Sequence, residues 1–250
     1  AGLTPPHPAV SIEDTVAYLG ASYRDLEDAV SPAVAAASFS AGGRQVFLPV
    51  ASLAGILAEI QPDVLLTTSA PRAERAAVVA ASRMGIPAVV VVDLFGTAET
   101  EWLRDPAFGT TVCVLTEAVR TRLIAAGRSA AQVRVTGNPV FDRLGDPQLP
   151  RRAAALRSAL GWGAETKVIT WASQPETADP QLPRRIEGAL LAALADHPAW
   201  HLVLRPHPSD RYQLPPCSAQ VSHSGRADDL PALLAASDVL VTMTSTVGLE

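Results

Sequence analysis

The sequence has 250 residues, a length that suits two domains of about 100 to 150 residues each. Hydrophobic residues make up 48% and charged residues 18%, so the chain can bury substantial cores and is not a disordered segment. The formal net charge is -5 and the 20 basic residues are scattered, which argues against a nucleic-acid partner because that would need clustered basic residues. The two cysteines lack metal-ligand spacing, and we expect neither a metal nor a cofactor.

Both ends of the sequence predict a truncated protein. The first 43 residues contain no strand that opens into a glycine-rich turn, and the chain stops at Glu250, just inside a predicted helix. A sheet needs such a helix to cover its last strand. The N-terminus also lacks the charged start and apolar stretch of a signal peptide, which predicts a cytoplasmic protein. Peripheral attachment to the inner face of the membrane is left open.

Strand-like and helix-like segments alternate from residue 45 onwards. Near-continuous apolar strands separated by helices are typical of a parallel sheet. The predicted strands are residues 45–50, 63–68, 88–92, 111–115 and 133–136. The predicted helices are residues 52–60, 72–84 and 117–126.

Residues 137–150 interrupt this alternation, because they are rich in glycine, proline and aspartate. We place the domain boundary here and predict an N-terminal domain, residues 1–150, and a C-terminal domain, residues 151–250. The second domain has predicted helices at 151–160, 182–194 and 230–236, and predicted strands at 167–171, 200–205 and 239–243. The fold class is therefore α/β, with two Rossmann-like domains whose parallel sheets face a central cleft.

The C-terminal segment carries the strongest candidate site. A strand leads into Thr244, Ser245 and Thr246, and a helix is predicted to begin there. The first turn of a helix has unpaired N–H groups that attract phosphate, and Glu250 would lie on the same helical face as Thr246, where it could accept from ribose hydroxyls. An ordinary serine or threonine helix cap is the alternative interpretation.

Two other segments of the second domain follow predicted strands. Arg205 and His207 stand in an Arg-Pro-His-Pro sequence, where a cation and an imidazole suit a diphosphate. The alternative is a surface loop whose arginine pairs with an acid. Ser173 and Gln174 follow the first strand and could donate to a phosphate or a sugar, and a plain turn before Pro175 explains them equally well.

In the first domain, Asp93 ends a predicted buried strand and could act as a general base. A helix cap or a loop anchor is the alternative. The Gly137-Asn138-Pro139 sequence is interpreted as a turn between the domains.

These segments together resemble the superfamily of the UDP-N-acetylglucosamine 2-epimerases and related GT-B glycosyltransferases, from about Ser52 to Glu250. The resemblance implies two Rossmann-like domains, a nucleotide sugar bound mainly by the second, phosphate contacts at Arg205, His207, Ser245 and Thr246, and a ribose contact at Glu250. It rests on residues 60–66 (Ile-Gln-Pro-Asp-Val-Leu-Leu), 85–89 (Gly-Ile-Pro-Ala-Val), 135–142 (Val-Thr-Gly-Asn-Pro-Val-Phe-Asp), 206–208 (Pro-His-Pro), 236–242 (Ala-Ser-Asp-Val-Leu-Val-Thr) and 248–250 (Gly-Leu-Glu).

The sequence departs from the epimerase pattern at two places. Residues 68–71 (Thr-Ser-Ala-Pro) stand where the epimerases carry an acid, and residues 172–175 (Ala-Ser-Gln-Pro) replace their loop of ionisable residues. Only Asp93 stands where the family places another catalytic acid. The Arg-Pro-His-Pro and Thr-Ser-Thr elements are more similar to those of capsule and teichoic-acid-type transferases.

The sequence therefore predicts a metal-independent glycosyltransferase of cell-envelope or capsular polysaccharide synthesis, with Asp93 and His207 as catalytic residues. Its expected partners are a UDP- or CDP-linked sugar donor and a polysaccharide or lipid-linked acceptor. Two alternatives stay open: a 2-epimerase-like isomerase or hydrolase, and a non-catalytic nucleotide-binding subunit. A homodimer is also left open.

Overall fold

A computed structural model describes residues 10–208, 210, 212–243 and 245–249 of the chain. The contacts divide the chain into two compact units, residues 1–138 and 139–250. Residues 139–150, which we assigned to the first domain, group with the second unit, and the domain ranges divided at Pro150 stay a prediction.

The first unit begins with three helices: α1 (Ile12–Val30), α2 (Pro32–Gly42) and α3 (Val50–Ile60). Ser11 begins α1 with a capping box, because its hydroxyl accepts from the N–H of Asp14 at 2.9 Å while the carboxylate of Asp14 accepts from the N–H of Ser11. Within the described residues, no single helix is long and apolar enough to cross a membrane. The segments 32–46 and 50–60 have the necessary length and apolar composition only when they are counted together, and the chain bends by 55° between them.

The strand predicted for residues 45–50 is wrong. Residues 43–46 form a 3₁₀ turn, and α3 already begins at Val50. The apolar pattern that suggested a strand comes from loop packing: Phe47 is buried and stacks on Phe39, with the two ring centres 5.4 Å apart.

Four parallel strands form the sheet of the first unit, in the order β1-β2-β3-β4. Strand β1 lies at the edge of this sheet, and Leu66 is 69% exposed, whereas the apolar residues of the predicted strand 63–68 are typical of a buried strand. The strands are β1 (Leu65–Thr68), β2 (Ala88–Val91), β3 (Thr111–Val114) and β4 (Val133–Val135), and the connecting helices are α4 (Ala73–Arg83), α5 (Thr100–Leu103) and α6 (Glu117–Ala125), with a 3₁₀ turn at Ala130–Gln132.

A buried arginine organises the loop between α5 and β3. Arg128 is 2% exposed, and its guanidinium donates to four main-chain carbonyls at distances between 2.6 and 3.3 Å. The acceptors belong to Leu103, Asp105, Phe108 and Gly109. Because buried carbonyls need donors, this one side chain satisfies a whole turn of irregular backbone.

The second unit also has four parallel strands, in the order β7-β6-β5-β8. Its elements are the 3₁₀ segments Pro139–Gly145, Leu194–Asp196 and Thr246–Leu249, the helices α7 (Leu149–Ala159), α8 (Leu182–Ala193) and α9 (Leu230–Ala236), and the strands β5 (Lys167–Ala172), β6 (Trp200–Arg205), β7 (Val221–His223) and β8 (Val239–Thr242). Strand β7 was not predicted.

Both faces of this second sheet are covered by helices. Helices α7 and α9 pack on one face around Val168, Val203 and Leu233, and α8 packs on the other around Trp171 and Leu204. Five of the six residues of β5 are buried, as a central strand of a two-faced parallel sheet requires. The predicted α/β class with two parallel sheets is therefore confirmed.

Candidate functional site

The strand order of the second sheet creates a topological switch point. The chain runs from β5 outwards to β6 and β7, then returns to place β8 on the other side of β5. In open parallel sheets, ligands bind outside the carboxyl ends of the strands at such a point. The sheet of the first unit follows sequence order and has no switch point among its described strands.

Three strands end level with one another at this edge. Ala172 of β5 is in register with Arg205 of β6 and with Thr242 of β8. The edge is tied by the N–H of Ser173, which donates to the carbonyl of Arg205 at 3.0 Å, and by the hydroxyl of Thr242, which donates to the carbonyl of Ala172 at 3.1 Å. The residues that follow each strand therefore share one edge.

Ser173 stands directly after β5, beside the switch point. Its side chain is 5% exposed, and its hydroxyl has no hydrogen-bond partner within the described part of the chain. An unpaired buried hydroxyl costs free energy, so such groups are uncommon in folded proteins. Gln174 follows it and is half-buried.

Arg205 ends β6, and its guanidinium is directed along the edge towards β7. It donates to the hydroxyl of Ser224 and to the carbonyl of Gly225, both at 2.7 Å. Both acceptors are neutral oxygens, and these bonds hold the guanidinium at the carboxyl edge.

His207 is exposed in the loop after β6, and the loop is fastened behind it. The N–H of Asp210 donates to the carbonyl of His207 at 2.8 Å, and the carboxylate of Asp210 pairs with Arg184 of α8 at 2.5 Å. These two contacts of Asp210 fix the loop on its inner side and so give His207 a defined position.

Arg184 is the centre of a larger, partly buried network. Its guanidinium lies over the ring of Tyr212 and pairs with Glu187 at 3.0 Å, while the hydroxyl of Tyr212 donates to the same Glu187 carboxylate. Burial, followed by the bond to Glu187, raises the pKa of Tyr212 well above its ordinary value, so this hydroxyl stays protonated as a donor.

The segment after β8 differs from the prediction of a full helix start. Its described part is a four-residue 3₁₀ helix, Thr246–Leu249, preceded by Ser245, whose hydroxyl accepts from the N–H of Val247 at 3.3 Å. The Ser245 hydroxyl thus accepts a local hydrogen bond, and the phosphate contacts of Ser245 and Thr246 stay a prediction. Two predicted binding residues, Thr244 and Glu250, lie outside the described residues.

The candidate residue of the first unit lies at the carboxyl edge of its own sheet. Asp93 follows β2 and is exposed, and its carboxylate is 3.5 Å from the hydroxyl of the buried Ser69. The side chain of Asn138 donates to the main-chain carbonyl of Asp93 at 2.7 Å. Asn138 therefore anchors the Asp93 loop through its backbone and leaves the carboxylate available.

No cluster of three or more His, Cys, Asp or Glu side chains with metal-ligand geometry occurs among the residues that the structure describes. The polar groups gathered at the carboxyl edge of the second unit are hydroxyls, a guanidinium and an imidazole. These groups stabilise negative charge by hydrogen bonding, as a phosphate site requires.

No protein-family model and no curated protein sequence matches the chain. Solved structures do match it. The UDP-GlcNAc 2-epimerase of Neisseria meningitidis, solved with UDP-GlcNAc, aligns with a TM-score of 0.55 and 16% identity over 79% of this chain. The MnaA protein of Staphylococcus aureus, solved with UDP, gives 0.57 and 14% over 79%, and the UDP-GlcNAc 2-epimerase of Methanocaldococcus jannaschii gives 0.51 and 12% over 79%.

The chain has the GT-B-like fold of the UDP-GlcNAc 2-epimerases. It spans less than two thirds of these structures, covering 58%, 57% and 60% of their respective lengths. Identities this low establish the fold alone, and they confirm the predicted resemblance at that level.

Two features of the site were missed from the sequence. The Arg184 network was not predicted, although the spacing of Arg184 and Glu187, one helical turn apart, indicates a pair on one helix face. The bond between Arg205 and Ser224 was also missed, because β7 is only three residues long and its pattern is weak.

Proposed function

We propose that the chain is part of a metal-independent glycosyltransferase that binds a nucleotide-sugar donor at the carboxyl edge of the second unit. The observation that carries this proposal is the hydroxyl of Ser173, which is buried and unpaired beside a topological switch point. A donor phosphate would accept a hydrogen bond from this hydroxyl and remove the cost of leaving it unpaired.

The other candidate residues take complementary roles in the proposal. Arg205 and His207 neutralise the leaving diphosphate, and Gln174 contacts the phosphate or sugar beside Ser173. Thr244, Ser245 and Thr246 donate to the phosphates after β8, and Glu250 accepts from the ribose hydroxyls. Asp93 of the first unit serves as the general base that activates an acceptor hydroxyl.

The second candidate function is a 2-epimerase-like isomerase or hydrolase. The fold supports it, since two of the matched structures are described as UDP-GlcNAc 2-epimerases. The residues after β1 and β5 weigh against it, because Ala70 and the Ser173-Gln174 pair are not ionisable. Epimerisation by elimination and re-addition needs acids and bases at the sugar.

A panel of UDP- and CDP-linked sugars, incubated with and without acceptor glycans, separates these functions. A transferase releases the nucleoside diphosphate only when an acceptor is present. Release without an acceptor indicates a hydrolase, and conversion of UDP-N-acetylglucosamine to its manno epimer indicates an epimerase. Either of the last two results would overturn the transferase proposal.

Ser173→Ala tests the donor site itself. A charge-assisted hydrogen bond contributes about 1.5 to 3 kcal/mol, so the variant is expected to bind UDP roughly ten- to a hundredfold more weakly. The free energy of unfolding is expected to stay level or to rise, because the hydroxyl has no partner among the described residues. Ser158→Ala, an exposed serine on α7, is the matched control.

The proposed ribose contact needs its own variant. Glu250→Ala is expected to weaken binding of a nucleoside diphosphate without a sugar, by roughly tenfold. Calorimetry that gives equal affinities for the wild type and the variant would remove Glu250 from the site.

A further inference from the structure

The guanidinium of Arg122, on helix α6, has no partner in the described part of the first unit. Its Nε and Nη2 atoms are buried, and neither has a hydrogen-bond partner among the described residues. The third nitrogen, Nη1, also makes no hydrogen bond or ion pair with any of these residues, and it is accessible to solvent. A guanidinium is not deprotonated in proteins and carries five N–H donors. The positive charge of Arg122 is therefore partly withdrawn from water without a described counter-ion.

Other arginines of the first unit do not share this situation. Arg128 is more deeply buried, but it donates to four main-chain carbonyls and so has a structural role. The remaining arginines of this unit whose side chains lack a described partner are all exposed: Arg24, Arg44, Arg83, Arg104 and Arg134. Partial burial of Arg122 costs free energy that no described contact offsets. Buried polar groups without partners are uncommon, and functional sites are where proteins keep them.

Arg122 lies beside the loop that carries Asp93. Helix α6 begins at Glu117, soon after β3 ends, so its first turns lie towards the carboxyl edge of the sheet. Gly96 has a φ of +59°, and a Cβ placed on it would lie 2.9 Å from Cγ1 of Val92 and 3.9 Å from Nη2 of Arg122. A glycine at this position therefore lets the loop fold back onto Val92, next to the guanidinium. The candidate general base and the unpaired cation thus flank one short loop.

We propose that Arg122 binds an acidic group of the acceptor, so that the acceptor is an anionic glycan. The chemistry recognised is an oxyanion, which is shared by the carboxylate of a hexuronic acid residue and the phosphate of a sugar phosphate. A guanidinium binds either group through two parallel hydrogen bonds. The accessible Nη1 gives the oxyanion a path to Arg122, and no described carboxylate lies within ion-pair distance to compete with it. This inference rests on the proposed function, since it names the class of acceptor that Asp93 would activate.

The first test is calorimetry with tri-galacturonate and with its methyl ester, in the absence of a nucleotide sugar. Esterification removes the negative charges and keeps the sugars. We expect saturable binding of the acid and at least tenfold weaker binding of the ester. A glycerol phosphate trimer is the second acidic probe. Tighter binding of either acidic probe than of the ester supports the inference, and the tighter of the two identifies the source of the oxyanion.

Arg122→Met tests the contact itself. The variant is expected to bind the tighter acidic probe roughly ten- to a hundredfold more weakly and to bind the ester like the wild type. In urea, without glycan, its free energy of unfolding is expected to stay level or to rise, because no described group loses a partner. Arg120→Met is the matched control, since it removes the same charge from the same helix, but from a guanidinium paired with Glu117 at 3.3 Å. It is expected to keep an affinity close to that of the wild type.

Arg122→Lys tests the shape of the group separately from its charge. The lysine keeps the positive charge but loses the planar fork, so its affinity for the acidic probe is expected to lie between those of the wild type and Arg122→Met. Equal affinities of the wild type and both variants for the acidic probe would overturn the inference. A loss of stability in Arg122→Met with unchanged glycan binding would also overturn it, by assigning the guanidinium to an internal partner.

A transfer assay distinguishes failure of this inference from failure of the proposed function. We expect a lower KM for the acidic acceptor than for its ester, and a rise in the KM for the acid in Arg122→Met with little change in kcat. Transfer to acid and ester with equal KM would overturn the inference and leave the transferase standing. Absence of transfer with every acceptor, combined with binding of the acid that depends on Arg122, would overturn the proposed function and support the anionic-glycan site.

Discussion

The main-chain N–H of Asp210 donates to the carbonyl of His207, and the carboxylate of Asp210 pairs with Arg184. One residue thus joins the exposed candidate histidine to a partly buried charged network. Among the residues that the structure describes, the network contains two carboxylates, on Asp210 and Glu187, and one guanidinium, that of Arg184. Neutralisation of these two carboxylates therefore depends on Arg184.

Arg184→Met is expected to lower the free energy of unfolding by about 3 kcal/mol, because it leaves largely buried carboxylates without their counter-ion. UDP affinity is expected to fall as well if the loop of His207 belongs to the donor site. Urea unfolding and calorimetry measure the two effects separately.

Arg185→Met is the matched control for Arg184→Met. Arg185 is adjacent in sequence and, among the described residues, forms an ion pair with Asp179 alone, with the two side chains 60% and 42% exposed. Its loss is expected to leave the free energy of unfolding close to that of the wild type, because an exposed ion pair contributes little. Equal destabilisation by the two variants would contradict a special role for the partly buried network.

Arg128→Met tests the buried arginine of the first unit. Four carbonyls lose their donor, and we expect a loss of about 3 kcal/mol in the free energy of unfolding. Thermal unfolding followed by circular dichroism measures it. Arg120→Met removes an exposed ion pair with Glu117, and its free energy of unfolding is expected to stay within about 0.5 kcal/mol of the wild-type value.

His201 predicts a pH dependence of stability. Burial lowers the pKa of His201, and a hydrogen bond with the main chain of Ala219 opposes this only in part. The folded protein then binds fewer protons than the unfolded chain, so the free energy of unfolding falls as the pH drops through about 6.5. Urea unfolding at about pH 7.5 and about pH 5.5 should show this slope, and His201→Gln should reduce it. An unchanged slope in the variant would assign the pH dependence to other groups.

Asp93→Asn separates a general base from a loop anchor. Asn138 bonds the main-chain carbonyl of Asp93, so the variant keeps that anchor. If the carboxylate activates the acceptor, turnover should fall about a hundredfold or more while UDP binding and stability stay unchanged. Asp63→Asn, an exposed aspartate before β1, is the control. Full turnover in Asp93→Asn would remove it from the catalytic residues.

Most strands of the two sheets could be predicted, because a parallel strand that is buried on both faces appears in the sequence as a short apolar run. Strands β6 and β2 were found from such runs, and helix α9 was predicted over the same residues, 230–236, that the structure gives it. Strand β7 was missed because its three residues, of which only Val221 is buried, carry no period. The false strand at 45–50 arose because loop packing around Phe47 imitates strand composition.

The shared edge that carries the candidate residues could be predicted from the sequence, but the contacts among these residues could not. The ends of parallel strands share an edge, which was enough to group Ser173, Arg205 and Ser245. The burial of Ser173 and the position of the His207 loop depend on contacts between residues that are distant in sequence, such as the ion pair between Arg184 and Asp210. No local sequence pattern predicts such contacts.

Strand β1 has a consequence for handling the protein in solution. Among the described strands it pairs only with β2, and Leu66 projects from it with 69% of its surface exposed. An edge strand that carries an exposed apolar side chain can pair with a strand of another molecule. For this 250-residue chain we therefore expect association edge to edge through β1 at high concentration, and we expect Leu66→Lys to reduce it.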